Sequence, residues 1–224
     1  MPSALARPLA AAGIVAVLLG MAAVSALHVL PPTADISPVR RTISEYALHE
    51  TAWVFNLGVL VLAAGSLAVS AALAYAGQVR LASVAGLGLL LWSAGLAAVV
   101  YFPKHDWSVG PSLDGHIHRV ASLVAFLSLP VGALLVVLAW RRDAGRRADV
   151  WLTAVPALGA LAMFGVIIGA VLLEPYTGVD WWQAIPLGAV ERGLAAFEVL
   201  TVLALGRWAW RAAERKGTLL TDVR

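Results

Sequence analysis

Six apolar stretches, each close to twenty residues long and separated by short linkers, constrain this chain more than any other feature. They fall at about 9–30, 52–76, 81–102, 117–140, 150–173 and 187–208. A helix of roughly 20 residues is about 30 Å long, the thickness of a bilayer's hydrocarbon core. In lipid the backbone has no water to bond to, so runs of this length close their hydrogen bonds within themselves as helices. The expectation is an all-α membrane bundle of six transmembrane helices. It forms a single unit over residues 1–210, followed by a short polar, frayed tail at 211–224. The chain is 61% apolar and 13% charged, which suits lipid rather than water.

Lys and Arg set the orientation. An even number of spans puts both termini on one side. That side holds eleven basic residues: Arg7, Arg80, Arg141, Arg142, Arg146, Arg147, Arg207, Arg211, Arg215, Lys216 and Arg224. The other holds five: Arg40, Arg41, Lys104, Arg119 and Arg192. The positive-inside rule then makes both termini cytoplasmic. Topology accounts for the net charge of +3, so no nucleic-acid partner is implied. The partner is the lipid bilayer. Arg outnumbers Lys fourteen to two, a bias that fits a GC-rich bacterium and hence its inner (plasma) membrane. Cysteine is absent, which excludes disulfides and thiolate chemistry. Arg7 followed by an apolar run and Val24-Ser25-Ala26 has the outline of a cleavable signal peptide. The run exceeds the usual length, so a retained first helix is expected. Cleavage would leave five spans and an unchanged outward face.

Ionisable groups gather on the outward side. All five histidines are there, with eight of the thirteen carboxylates. In the first outer loop Thr42-Ile43-Ser44-Glu45 fits a capping box opening a short helix over 43–50. Asp114 is the expected N-cap of the fourth span. Gly165-x-x-x-Gly169 is the spacing that lets two membrane helices approach closely.

Within the last span Glu198 lies seven residues beyond Glu191, about 10 Å deeper and on the same face. A charged carboxylate there costs on the order of 2.5–3.5 kcal/mol, so it faces the bundle, with Asn56 as a candidate partner. Arg192 offers a fork that holds a phosphate or carboxylate, or pairs with Glu174 or Asp106. His49, His116 and His118 are candidate ligands of a divalent metal, with Asp114 placed to orient His118. A haem held by two histidines is the weaker option. Ser44 has a neighbouring His but no nucleophile elbow around it.

The stretch Ile36-Ser37-Pro38, Thr42-Ile43-Ser44-Glu45-Tyr46 and Val54-Phe55-Asn56-Leu57-Gly58 resembles the family catalogued as domain of unknown function 998, a group of bacterial and archaeal multi-span membrane proteins. Phe102-Pro103 before Asp106, a histidine opening the next span, and Glu191-Arg192 opening the last one are similar to it as well. The likeness covers about 30–210. It implies a membrane bundle, brings no established activity, and directs attention to Ser44, Asn56, Asp106, His116, His118 and Arg192.

The reading that follows is an outward-facing site that binds or processes a lipid headgroup or other small polar ligand, with metal assistance an option. In it Arg192, Ser44 and Asn56 hold the ligand, Glu191, Asp106 and Glu198 do acid–base work, and His49, His116 and His118 ligate. Two alternatives stand beside it. One is a small transporter or proton-coupled permease using Glu198 and Asn56. The other is an accessory subunit whose polar groups only pin loops.

Overall fold

The computed structural model describes residues 2–221, with side chains described for 4–215. Arg224, counted above toward the cytoplasmic face, lies outside them. Among the described residues every regular element is a helix. The long ones are α1 (Pro2–Ala26), α2 (Ala52–Tyr75), α3 (Val84–Tyr101), α4 (Leu113–Trp140) and α5 (Arg147–Thr177). After a single turn, α6 (Trp181–Ala184), comes the last, α7 (Leu187–Thr221). A 3-10 helix at Ile43–Leu48 lies in the first long loop. Among the described residues five helices are long and apolar enough to cross a membrane, as expected of a membrane protein: Ala4–Ala26, Ala52–Tyr75, Val84–Tyr101, Leu113–Trp140 and Ala144–Thr177.

The helices pack in a ring, α1 on α2, α2 on α3, and so on to α5 on α7 and α7 back on α1. α7 also touches α2 and α4, which draws it toward the middle. The core is apolar, built from side chains such as Phe55, Leu73, Leu89, Trp92, Leu129 and Leu205. Large apolar side chains also point outward all round, among them Leu19, Leu60, Leu91, Leu158 and Leu172. That pattern suits a solvent as apolar as the core.

Close helix approach occurs where no sequence motif marks it. A Cβ added to Gly13 would meet the Gly65 carbonyl oxygen at 2.8 Å, and one on Gly65 would meet the Gly13 carbonyl oxygen at 2.8 Å. One on Gly20 would meet the Gly58 carbonyl oxygen at 2.5 Å. The α1–α2 seam is thus backbone against backbone. Gly165 and Gly169 face open space instead, so the Gly-x-x-x-Gly reading is corrected.

Several predicted boundaries shift. α5 passes through Pro175 and ends at Gly178, whose φ of 65° lets its N–H bond back to the Glu174 carbonyl. Ser112, not Asp114, caps α4: its hydroxyl accepts the Gly115 N–H at 3.1 Å. α7 does not stop near 208 but continues through the predicted tail to Thr221, with Ala212 and Ala213 buried. Residues 222–224 of that tail lie outside the described residues.

Candidate functional site

At the end of the bundle where α1 finishes and α7 begins, the helices part around a cavity of about 310 Å³. α1, α2, α3, α4 and α7 and the 3-10 helix all contribute to its wall. Most of the wall is aliphatic and aromatic, including Phe55, Trp92 and Phe126. The polar exceptions among the expected residues are Ser44, His118, Glu191, Arg192 and Glu198.

Arg192 is almost fully engaged with the protein. Its Nη1 donates to the carbonyls of Pro38, Arg41 and Gly188 at 2.9, 2.7 and 3.0 Å. Its Nη2 donates to the Tyr46 hydroxyl at 3.0 Å and its Nε to His28 Nε2 at 2.7 Å. A guanidinium has five N–H groups, so one is left over. The expected carboxylate partners Glu174 and Asp106 are absent from this set, because loop carbonyls take their place. Arg192 therefore fastens the first long loop onto α7. Gly188 makes this docking feasible, since a Cβ there would collide with the backbone of Arg41 and Pro38.

Glu191 completes the fastening. Its Oε2 accepts the Ile43 N–H at 2.8 Å, at the start of the 3-10 helix. The local capping box is thereby overturned: Thr42 makes no side-chain cap bond. Glu45 pairs instead with Lys104 at 2.7 Å, and Lys104 also donates to Thr42 Oγ1 at 3.0 Å. The capping carboxylate comes from α7 rather than from three residues downstream. Ser44 lines the cavity, its hydroxyl 3.3 Å from that of Thr42.

His118 is held by backbone. Its Nδ1 donates to the Phe102 and Val99 carbonyls at 2.9 and 3.1 Å, at the C-terminal end of α3. That bond fixes the tautomer and leaves Nε2 as a bare acceptor on a cavity residue. Asp114, expected to orient it, is exposed and takes no part.

Glu198 is wholly shielded from water, and neither carboxylate oxygen has a hydrogen-bond partner. Asn56 does not bond to it and is not part of the cavity wall. Trp92, at mid-depth on α3, donates from Nε1 to Ser66 Oγ at 3.0 Å. It is the tryptophan that stands apart from both ends of the bundle in sequence, a signal that it needed an internal partner. Ser66, Ser70 and Thr201 each donate to the carbonyl four residues back, the ordinary way an apolar helix accommodates a hydroxyl.

The remaining expected residues stand elsewhere. Asp106 closes a tight turn in the α3–α4 loop, accepting the hydroxyl and N–H of Ser108 at 2.6 and 2.9 Å. Those bonds hold its carboxyl below the usual carboxylate range. His116 packs edge-on against His105, ring centroids 4.8 Å apart. His105 is buried, and its Nδ1 accepts the Ser112 N–H at 3.0 Å. Burial pushes it below the ordinary imidazole range, and His116, Arg119 and Lys104 add to the effect. His49 lines a separate surface pocket with Asp35, Arg40, Arg41 and Glu45. Among the described residues no three His or acidic side chains gather as a metal would require.

His28, counted among the outward histidines, and Tyr46 are the site residues to which the sequence assigned no role. Both ends of the His28 ring are used: Nδ1 donates to the Ser25 carbonyl at 3.1 Å while Nε2 receives Arg192. α1 thus supplies part of the cavity wall, with Met21, Val24 and Ser25 beside His28. Removal of a leader ending at Ala26 would change this face rather than spare it.

At the opposite end, Asp149 of α5 is buried and receives Arg207 and Arg215 of α7, at 2.5 and 3.2 Å. Trp140 Nε1 donates to the Gln78 carbonyl at 2.9 Å, and the Arg146 guanidinium stacks 3.9 Å above the Trp140 ring. This end is closed by ion pairs and indole rings.

The chain matches no curated protein and no solved structure. A family does match over residues 14–208, which takes in all of the cavity wall and the Arg192 fastening. The chain belongs to that family, described as Protein of unknown function (DUF998).

Proposed function

We propose that α7 is a sixth span, that both termini are cytoplasmic, and that the cavity opens at the outer face of a bacterial plasma membrane and binds a small amphiphile from the outer leaflet. One observation carries the reading: Glu198 sits unpartnered in the wall of a largely apolar cavity. A buried polar group without a bond is costly, and a ligand that bonds to it offsets that cost. His118 Nε2 offers a second polar contact, one able to accept a proton. The apolar wall takes the ligand's body and these two groups take its polar end, the usual division of labour in a small-molecule site.

The outer ring of ionisable groups thus divides into two sets. Arg192, Glu191, Lys104 and Asp106 hold loops, as the accessory-subunit reading expects. Glu198 and His118 Nε2 remain unspent, and the binding reading rests on them. His49 lies in a separate surface pocket, and on α4 His116 packs against His105 while His118 bonds to the end of α3, so the proposal assigns no metal. The test is native mass spectrometry of the purified protein with eight-carbon amphiphiles. A one-to-one adduct is expected, and Ala195→Phe, which fills the cavity from α7, should abolish it. An adduct indifferent to that substitution, or no adduct at all, would refute the reading.

A further inference from the structure

The hydrogen-bonding capacity of the wall points to one class of ligand. The cation of the cavity, Arg192, has four of its five N–H groups committed to carbonyls, Tyr46 and His28. Ser25, Ser44 and Ser122 add hydroxyls, of which Ser122 already donates to the His118 carbonyl, while Glu191, Glu198 and His118 Nε2 offer acceptors. Glu198 carries two oxygens with no donor. Glu191, two turns away on the same helix face, has one oxygen used by Ile43. His118 presents Nε2 as an acceptor, because Nδ1 is bonded to Phe102 and Val99. A phosphate or carboxylate headgroup would face two carboxyl groups and an imidazole acceptor, with only serine hydroxyls and one Arg192 N–H to hold it.

The opposite polarity fits. Trp92, Phe55 and Phe126 line the same space, and aromatic faces attract an ammonium. A primary ammonium brings three N–H donors to a wall rich in acceptors.

We infer that the cavity selects a hydrophobic amine: a single ammonium on an apolar body, the nitrogen at Glu198 with His118 Nε2 beside it, the body against the aromatic wall. The inference rests on the amphiphile-binding reading above and adds the sign of the charge. It also reverses the sequence-based expectation that Arg192 would hold an anion.

The test compares n-octylamine, n-octanol and n-octanoate, which share a body and differ in headgroup. Each is added to wild-type protein, Ala195→Phe and Glu198→Gln, and the one-to-one adduct is measured by native mass spectrometry. Adduct that survives Ala195→Phe counts as non-specific and is subtracted. Octylamine should bind at least roughly tenfold more tightly than the other two, the scale of a charge-assisted hydrogen bond. Glu198→Gln should bring it down to the level of octanol. Octanol or octanoate binding as well as octylamine to the wild type would overturn the charge inference and leave amphiphile binding standing. If none of the three binds in a way that Ala195→Phe removes, both fall together. The wild-type comparison alone decides the sign, so it stands even where a variant folds poorly.

Discussion

His28 Nε2 accepts a hydrogen bond from Arg192 Nε at 2.7 Å, across 164 residues of sequence. The bond joins the end of the first helix to the start of the last. It works only with the His28 proton on Nδ1, where the Ser25 carbonyl receives it. Around this pair the Pro38 and Arg41 carbonyls and the Tyr46 hydroxyl converge on the same guanidinium.

Replacing Arg192 with Ala should therefore free the first long loop. The expected loss is about 3 kcal/mol, the worth of one or two charge-assisted hydrogen bonds. Hydrogen exchange over residues 36–46 should speed up, while the α5–α7 contact around Asp149 keeps its protection. Arg192→Lys should recover little, because a single ammonium cannot reproduce the planar fork. Unchanged exchange in 36–46 would show that the loop is held by something else.

Acidification should loosen the α3–α4 loop. His105 is buried with its proton affinity lowered, and His116, Arg119 and Lys104 face it. The unfolded loop therefore takes up a proton more readily than the folded one. The stability His105 contributes is present above its ordinary pKa, about 6.5, and is lost as pH falls below that. Exchange over residues 103–112 followed from pH 8 to 5 should rise below about 6.5. His105→Gln should flatten the profile, and a profile that stays as steep in that variant would assign the effect to another group.

The two ends of the chain were legible to different degrees. Hydropathy is a local property, so the apolar runs forecast α2, α3, α4 and α5 closely, while α1 starts earlier and α7 runs well past its predicted end. Glu198 was legible through its cost. Its lack of a partner was not, since Asn56 was equally placed in sequence to supply one. The capping box failed because Glu45 had a competing cation in Lys104, and Glu191, 148 residues from Ile43, took its place. Arg192 misled for a related reason. Backbone carbonyls carry no sequence signature, so a guanidinium that binds them looks identical to one awaiting an anion.

Helix contact was the least legible feature. Gly20→Leu should force α1 and α2 apart and cost about 1–3 kcal/mol, the usual range for overpacking. Gly165→Leu, where an added Cβ meets nothing within 4 Å, should stay within roughly 0.5 kcal/mol of wild type. Thermal unfolding in one detergent compares them directly. Equal losses would mean that the α1–α2 seam is not where the backbones are tightest.

Asp149→Asn should destabilise the closed end. A buried carboxylate that serves two arginines leaves both without a counter-charge when neutralised, and because both guanidiniums keep access to water the cost is about 1–2 kcal/mol. Pairing it with Arg207→Met should return part of the loss, because the partner left charged is then gone. A double variant less stable than the single one would contradict this, with melting temperature as the readout.

The separation in sequence between Tyr46 and Arg192 also sets a timetable. The two are 146 residues apart. At roughly 5–20 residues per second, a ribosome needs on the order of ten seconds to travel between them. Through that interval the loop has been delivered and its fastener has not yet been made. The cavity wall is therefore completed only when α7 emerges, and a chain cut short before residue 192 lacks the side of the wall that α7 supplies.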